Sequence, residues 1–278
     1  AYKSIWWKEG SPLMVLSQRL LNACQKKSKY KMALGMRYDS PSIKEGIEAL
    51  LEQIPSMKKV FLVPLYPHYA MASYETVVEK TKTVLDKHFP ELIFESLEPF
   101  YNKKPYIDVL SKSIVPYKDK VDYILFSYHG IPVRHLKKRD QTQSHCYQNK
   151  SCCNVDSEAH KQCYKHQCVQ ATYDVVNTLG LDDDKWGISF QSRLGSDPWI
   201  EPFTDKTIES LAKKGIKRLA VVCPAFVSDC LETLEEMGEE GKEIFQESGG
   251  QHFYLIDCLN TNEDWVDVLV DMIEEKLN

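Results

Sequence analysis

Short runs of apolar and β-branched residues alternate along the chain with longer stretches in which apolar positions recur at helical spacing. The short runs predict strands at residues 31–36, 60–65, 92–96, 121–127, 187–191, 219–223 and 253–256. The longer stretches predict helices at 12–27, 42–53, 74–88, 103–114, 157–178, 204–214, 229–247 and 262–277. Because strands alternating with helices are typical of βαβ units, the pattern predicts an α/β protein with parallel sheets flanked by helices.

At 278 residues, the chain is long enough for two medium-sized domains that each bury a core. The segment Pro99–Tyr117, rich in Lys, Pro and Tyr, is the predicted crossing between them. This boundary gives a first domain over residues 1–115, a second over 116–258 and a final segment over 259–278. The second domain contains a cysteine-rich insertion at 140–168.

Charge and composition exclude several classes of protein. The net charge is −5 and no run of Lys and Arg alternates with aromatic residues, which argues against a nucleic-acid partner. The longest apolar run, Leu219–Val227, is too short to span a bilayer, and the amino terminus lacks the features of a signal peptide. Nine cysteines without a secretory signal favour reduced thiols or a metal site over disulfides, so a cytoplasmic location is expected.

One histidine, His129, stands where the predicted buried strand 121–127 runs into Gly130 and Pro132. The carboxyl edge of a parallel sheet is the usual place for ligands and chemistry. An imidazole there can accept a proton at neutral pH or bind a metal ion. A structural histidine whose hydrogen bonds are satisfied is the alternative interpretation.

Three glutamates on the predicted helix 229–247 recur at intervals of four residues: Glu232, Glu236 and Glu240. This spacing stacks them in one column of carboxylates on a helix. A solvated helix face is the commoner meaning of such a run of charge. The second interpretation is a path for divalent cations or protons that ends at Glu232, near the sheet edge where His129 emerges.

Two further groups of residues are candidates for binding. Trp199 follows Gly195 and Pro198 in a predicted loop, where its ring could stack on a planar ligand or pack in the core.

Five of the nine cysteines fall in the insertion with the spacing C-x5-C-C-x9-C-x4-C. Four thiolates serve either tetrahedral zinc or a [2Fe–2S] centre, and the paired CxxC knuckles of zinc ribbons are absent. Unliganded surface thiols are the third interpretation. The five are Cys146, Cys152, Cys153, Cys163 and Cys168.

Five ordered strings of residues resemble the ferrochelatase family over essentially the whole chain. The resemblance implies a chelatase fold of two Rossmann-like domains, with the carboxy-terminal helix packing back on the first. It also implies a lyase that inserts Fe²⁺ into protoporphyrin IX to form protohaem, the last step of haem biosynthesis. The alternatives are a coproporphyrin III ferrochelatase, another tetrapyrrole metal chelatase, and a non-catalytic porphyrin or metal carrier. The strings are Met36–Tyr38 with Pro41–Ile43, Pro64–Tyr69, Ser127–Pro132, Gln191–Gly195 and Phe226–Leu234.

The resemblance also implies roles for individual residues. His129 and Glu232 become the catalytic pair and the ligands of the substrate iron, with the division between proton acceptor and metal ligand left open. Glu236 and Glu240 extend Glu232 as the metal path. Porphyrin and ferrous iron are the implied partners, while contact with the inner membrane and the oligomeric state are left open. The residues that match the family's porphyrin pocket are Ser11, Arg37, Tyr38, Tyr69 and Trp199.

The chain departs from the family pattern in three places. Cys230 stands just before the helix glutamate, where members that lack cysteine often carry histidine. By the same resemblance we expect that the family segment with the first strand and a lip of the pocket, which normally precedes the position of Ala1, is missing. The insertion resembles that of members with an internal [2Fe–2S] cluster, which is expected ahead of zinc. The expected ligands are Cys146, Cys153, Cys163 and Cys168, with Cys152 as the substitute.

Overall fold

The computed structural model describes residues 5–149 and 151–278. Its strands form two parallel sheets, which confirms the predicted α/β class. The strands are β1 (Lys59–Leu62), β2 (Ile93–Ser96), β3 (Tyr123–His129), β4 (Trp186–Gln191), β5 (Arg218–Val222) and β6 (His252–Leu255). The first sheet pairs β1 with β2, and the second has the strand order β4-β3-β5-β6.

The helices flank these sheets, and most of them match the predicted spans. Two π-helical turns, Met71–Glu75 and Glu236–Gly241, and two 3₁₀ turns, Cys152–Asn154 and Glu158–Gln162, interrupt the regular pattern. Within the described residues no helix combines the length and apolar character needed to cross a bilayer. The helices are α1 (Pro12–Lys27), α2 (Ile43–Gln53), α3 (Thr76–His88), α4 (Lys104–Lys118), α5 (Val133–Arg139), α6 (Tyr164–Leu179), α7 (Thr204–Lys213), α8 (Leu231–Leu234), α9 (Lys242–Glu247) and α10 (Glu263–Leu277).

The strand predicted at residues 31–36 is wrong. The segment is irregular, and its β-type pairing is a single isolated bridge between Met36 and Ser42, outside both sheets. A strand needs a neighbouring strand for its backbone hydrogen bonds. Here the Gln25 side chain bonds the backbone instead, donating to the Tyr30 carbonyl at 2.9 Å and accepting from the Met32 N–H at 2.9 Å.

The single helix predicted at 229–247 is also wrong, because a π-helical turn divides it. The Glu240 N–H donates to the Glu235 carbonyl at 3.0 Å, five residues back, which marks the wider turn. Gly238 and Gly241 lie in this turn, and glycine weakens an α-helix interior. The acidic segment is therefore α8, the π turn and α9 in series.

The carboxy-terminal helix α10 lies against α1 and α4. Its Trp265 ring is fully buried and packs 5.7 Å from the Phe100 ring and 5.9 Å from the Tyr106 ring, measured between centroids. At the surface, the Lys112 ammonium pairs with the Asp264 carboxylate at 2.5 Å. The last element of the chain thus packs on elements from its first half.

His68 is buried among aromatic rings, with the Tyr128 ring 5.3 Å away edge-on and the Tyr101 and Tyr164 rings each at 6.0 Å. Neither of its ring nitrogens has a hydrogen-bond partner among the described residues. Burial lowers the pKa of His68 to about 3, so the ring is neutral in the folded protein.

We expect His68→Phe to reduce the acid sensitivity of the fold. The folded-state pKa lies below the unfolded value, so the unfolded chain binds an extra proton and wild-type stability falls as the pH drops from about 6.5 toward 3. At pH 5 the loss should be about 2 kcal/mol relative to pH 7.5, and the variant should lack it. Chemical unfolding at both pH values measures this, with the exposed His252→Gln as control. Equal pH dependence in wild type and His68→Phe would contradict the interpretation.

Candidate functional site

A cavity of about 930 Å³ lies where the carboxyl ends of the second sheet face elements of the first half. One part of it is lined by side chains with polar chemistry: Arg37, Tyr66, His129, Trp199 and Glu232. The other part is apolar and runs beside α1, β1 and α10. The structure therefore brings His129 and Glu232 to one cavity, as their positions in the sequence predicted.

His129 is the last residue of β3, and its position depends on the glycine that follows. The Gly130 N–H donates to the Gln191 carbonyl at 2.8 Å. A Cβ atom on Gly130 would lie 2.8 Å from that oxygen and 3.1 Å from the Trp199 ring, so only glycine allows this close passage.

The hydrogen bond of the imidazole fixes which of its nitrogens can react. Nδ1 of His129 lies 2.6 Å from the Gly130 carbonyl oxygen. Because a carbonyl can only accept, Nδ1 must donate, and the neutral ring carries its lone pair at Nε2. The Tyr164 hydroxyl donates to the His129 carbonyl at 2.9 Å and holds the end of the strand. Nε2 is therefore able to accept a proton or bind a metal ion.

Cys230 caps the helix that carries Glu232. Its N–H donates to the Thr233 hydroxyl at 3.1 Å, and its sulfur accepts from the Thr233 N–H. Burial and the neighbouring Glu232 carboxylate raise the pKa of Cys230, so the thiol stays protonated. The thiol also hydrogen-bonds the Glu232 carboxylate, and both residues line the cavity. At the position that often holds histidine, this chain has a neutral donor to Glu232.

Asp229 holds the first turn of the same helix by hydrogen bonds. Its carboxylate accepts from the Thr233 hydroxyl at 2.8 Å and from the Asn260 amide at 2.6 Å. Asp229 is buried, with 4% of its surface exposed, so these bonds compensate the charge away from water. The start of α8 is thus fixed on two sides.

Tyr66 is a site residue that sequence reasoning missed. Its side chain lines the cavity, and burial raises its pKa, so the phenol stays protonated. The Arg37 guanidinium lowers the pKa of this hydroxyl and the Glu232 carboxylate raises it, so charges of both signs act on Tyr66. The resemblance pointed to Tyr69 in the same string instead.

The predicted porphyrin-pocket residues divide into two groups. Arg37 and Trp199 line the cavity, and the Nε atom of Arg37 and the indole Nε1 are buried without a hydrogen-bond partner among the described residues. Ser11, Tyr38 and Tyr69 do not line it. Ser11 precedes α1 and Tyr38 is 72% exposed, with the Arg37 guanidinium 4.5 Å from its ring centroid. The Tyr69 hydroxyl donates to Glu75.

Aromatic rings surround the imidazole. The Trp199 ring lies 6.5 Å from the His129 ring, and the Phe226 ring lies 6.2 Å away, between centroids. Phe226 also lines the cavity and is a second residue that was not singled out from the sequence. Two orphaned N–H donors and these apolar rings give the cavity the character of a site for a large planar ligand with polar edges.

The three column carboxylates have different surroundings. Glu232 faces the cavity, while Glu236 accepts hydrogen bonds from the Ser192 N–H at 2.7 Å and the Ser192 hydroxyl at 2.5 Å. Glu240 lines a separate acidic pocket on the outer side together with Glu235. Burial and the charges of Glu235 and Glu236 raise the pKa of Glu240. The three carboxylates therefore lie at the cavity, at the loop that follows β4 and at an outer acidic pocket, and the middle one is hydrogen-bonded to Ser192.

The cysteine-rich insertion brings some of its thiols together. Hydrogen bonds with Cys146 and Cys153 lower the pKa of Cys163 and raise that of both partners. Cys168 is fully buried on α6 beside the Tyr164 hydroxyl. Among the described residues, no group of three or more His, Cys, Asp or Glu side chains is arranged to hold a metal ion. Of the thiols expected to bind a cluster, the structure brings Cys163 into contact with Cys146 and with Cys153.

An acidic residue organises the start of the insertion. Burial opposes ionisation of Asp140, but hydrogen bonds from Thr142, Cys146 and His145 outweigh it and lower its pKa to about 2. The carboxylate accepts from the Cys146 N–H at 2.7 Å and from the His145 N–H at 2.7 Å. Nearby, the ring nitrogen Nε2 of His145 bonds the Cys152 carbonyl at 2.8 Å. Hydrogen bonds therefore hold the backbone at Cys146 and at Cys152.

Comparisons with known proteins agree with this site. The Ferrochelatase family profile matches residues 1–277. The ferrochelatase of Stutzerimonas stutzeri (strain A1501) is 44% identical over 275 residues, covering 98% of this chain and 80% of the relative. The ferrochelatase of Pseudomonas syringae pv. syringae (strain B728a) is 45% identical over 276 residues, covering 99% and 81%.

A structural comparison supports the fold. The structure of SirB from Bacillus subtilis with Fe³⁺ matches with a TM-score of 0.59 at 12% identity, covering 93% of this chain and 87% of SirB. The chelatase-type α/β fold implied by the sequence is thereby confirmed. Together with the family match over nearly every residue, these findings show that the chain belongs to the ferrochelatase family of lyases.

Proposed function

We propose that the chain inserts Fe²⁺ into protoporphyrin IX to form protohaem, the last step of haem biosynthesis. The observation that carries the proposal is the shared cavity, in which an imidazole with its lone pair at Nε2 and the Glu232 carboxylate stand beside large aromatic rings. Its volume, about 930 Å³, is in the range of sites for large organic ligands.

The chemistry requires two pyrrole N–H protons to leave and one hydrated cation to lose its water. His129 Nε2 accepts the protons one at a time and passes each to solvent, so that Fe²⁺ and the free porphyrin give haem and two protons. Glu232 is the oxygen ligand that receives the iron, because it begins the carboxylate column. Glu236 and Glu240 form the rest of the metal path.

The porphyrin is held by the cavity wall and its rim. Trp199 stacks on the macrocycle and the Arg37 guanidinium pairs with a propionate. Tyr66 and Phe226 complete the wall, supported by their positions in the lining. Ser11, Tyr38 and Tyr69 do not line the cavity, and their proposed contacts are with the parts of the porphyrin that extend beyond it.

We expect His129→Ala to lower kcat for metalloporphyrin formation about 1000-fold while the Kd for porphyrin changes less than about threefold. Glu232→Gln should instead raise KM for Fe²⁺, because it removes a charged ligand. Anaerobic absorbance of the metalloporphyrin gives kcat and the KM for Fe²⁺, and porphyrin fluorescence titration gives the Kd, with the exposed His252→Ala as control.

The same assay separates the alternatives. Faster turnover of coproporphyrin III or of another tetrapyrrole than of protoporphyrin IX would reassign the substrate. Porphyrin binding without metal insertion would indicate a carrier, and normal turnover by His129→Ala would remove the histidine from the chemistry.

We also propose that the insertion holds a [2Fe–2S] cluster. The donor chemistry is that of a cluster site, because the Cys163 thiol hydrogen-bonds the thiols of Cys146 and Cys153, and the nearby Cys152 contributes to the raised pKa of both partners. Cys168 is the less favourable fourth ligand, since its thiol is buried on α6 beside Tyr164. When bound, the cluster would supply a redox-active iron centre outside the porphyrin cavity.

Anaerobically purified protein should therefore contain about two iron and two sulfide ions per chain, with visible absorption bands. Cys163→Ser should abolish both. Cys152→Ser should lose the cluster and Cys168→Ser should keep it, and the reverse result would assign the fourth ligand to Cys168. Zinc in place of iron, or no bound metal, would contradict the cluster.

The proposed domains are 1–115, 116–258 with the insertion 140–168, and a helix over 259–278 that packs on the first. The two separate sheets and the contacts of α10 with α1 support this division.

A further inference from the structure

A further imidazole lines the cavity in addition to those of His129 and His68. It belongs to His135, in the first turn of α5. The Nδ1 atom of His135 is buried and has no hydrogen-bond partner among the described residues. Because an unpaired buried polar atom costs free energy, a ligand that bonds to it is favoured. The chemistry proposed above makes no use of this nitrogen.

The first turn of α5 is held against the segment that carries Trp199. Pro132 and Trp199 form an antiparallel β-bridge, and the Val133 N–H donates to the Pro198 carbonyl at 2.8 Å. The N–H of His135 donates in turn to the Pro132 carbonyl at 2.9 Å. His135 and Trp199, which both line the cavity, are therefore held together in one part of its wall.

The charges around His135 favour an anionic ligand. Burial, Arg134 and Lys138 lower the pKa of His135, and Asp197 raises it by less than either cation lowers it. Asp197 is itself paired with the Arg134 guanidinium at 2.8 Å. The ring is therefore neutral at neutral pH, where it can donate through one nitrogen, and positive charge prevails around it.

We propose that the Nδ1–H group of His135 donates to a propionate carboxylate of the porphyrin, so that His135 selects tetrapyrroles with free acid side chains. This inference rests on the proposed function. The ionised groups of a porphyrin are its side-chain carboxylates, and a carboxylate that leaves water for a largely apolar cavity needs donors or cations in compensation. Arg37 is the proposed partner of one propionate, and His135 supplies the donor for another.

Porphyrin fluorescence titration on the full chain without added Fe²⁺ tests this role, with deuteroporphyrin IX and its dimethyl ester as a matched pair in the same nonionic detergent. His135→Leu should weaken binding of the free acid about tenfold and of the ester less than about twofold, because the acid alone loses a charge-assisted hydrogen bond. His135→Asn, whose amide nitrogen can replace Nδ1, should bind the acid within about threefold of wild type. The exposed His252→Leu should behave as wild type.

Several results would overturn the inference. A role in packing alone, or a water molecule bound at Nδ1, would make His135→Leu weaken acid and ester equally or leave both unchanged. Equal binding of acid and ester by the wild type would also overturn it. Should His135→Leu fail to fold, His135→Asn must keep the preference for the acid, and His135→Gln, whose amide reaches the position of Nε2 instead, must lose it.

Metallation measured on the same proteins separates this inference from the proposed function. If the preference for the acid depends on His135 but no porphyrin is metallated, the proposed function fails and the inference stands. If metallation proceeds while the preference survives in His135→Leu, the inference alone is overturned. A wild type that binds neither porphyrin overturns both.

Discussion

The buried amide of Gln191 is the interaction on which the site depends. Its carbonyl oxygen accepts from the Ser127 hydroxyl on β3 at 2.7 Å, and its amide nitrogen donates to the Glu232 carbonyl at 2.7 Å. Its backbone carbonyl accepts from the Gly130 N–H at 2.8 Å. One residue at the end of β4 thus links the strand that carries the imidazole to the helix that carries the carboxylate. Breaking these hydrogen bonds would leave the buried Gln191 amide unpaired, at the free-energy cost of its full desolvation. The amide therefore holds β3, β4 and α8 in a fixed geometry.

Much of the architecture could be predicted from periodicity because helix and strand patterns reflect burial on one face. The span of α1 and the placement of His129 at the end of β3 followed from that pattern and from the rule about parallel sheet edges. The strand prediction for residues 31–36 failed because an apolar run can indicate an extended chain but does not indicate which strand it would pair with. The prediction of one helix over the acidic segment failed because its π turn holds Gly238 and Gly241, and because Glu236 in that turn accepts a hydrogen bond from Ser192, a contact that lies outside the segment.

The candidate site was predictable only in part. His129, Glu232, Arg37 and Trp199 line one cavity, and so does Tyr66, which the sequence did not single out, whereas Tyr69 of the same string does not line it. After β1 the chain leaves the sheet, so no periodic rule indicates which tyrosine of the string faces inward. The density of cysteines indicated a thiol cluster, but the direction of each thiol depends on where α6 begins.

The close passage at Gly130 has a consequence for how the pocket can be altered. No side chain fits between the Gln191 carbonyl and the Trp199 ring, so the floor beneath the imidazole cannot be raised by adding atoms at this position. A change in the size or shape of the accepted macrocycle must come from other lining residues, such as Tyr66 and Phe226. The fold therefore separates a part of the pocket that is closed to redesign from a part that can be varied.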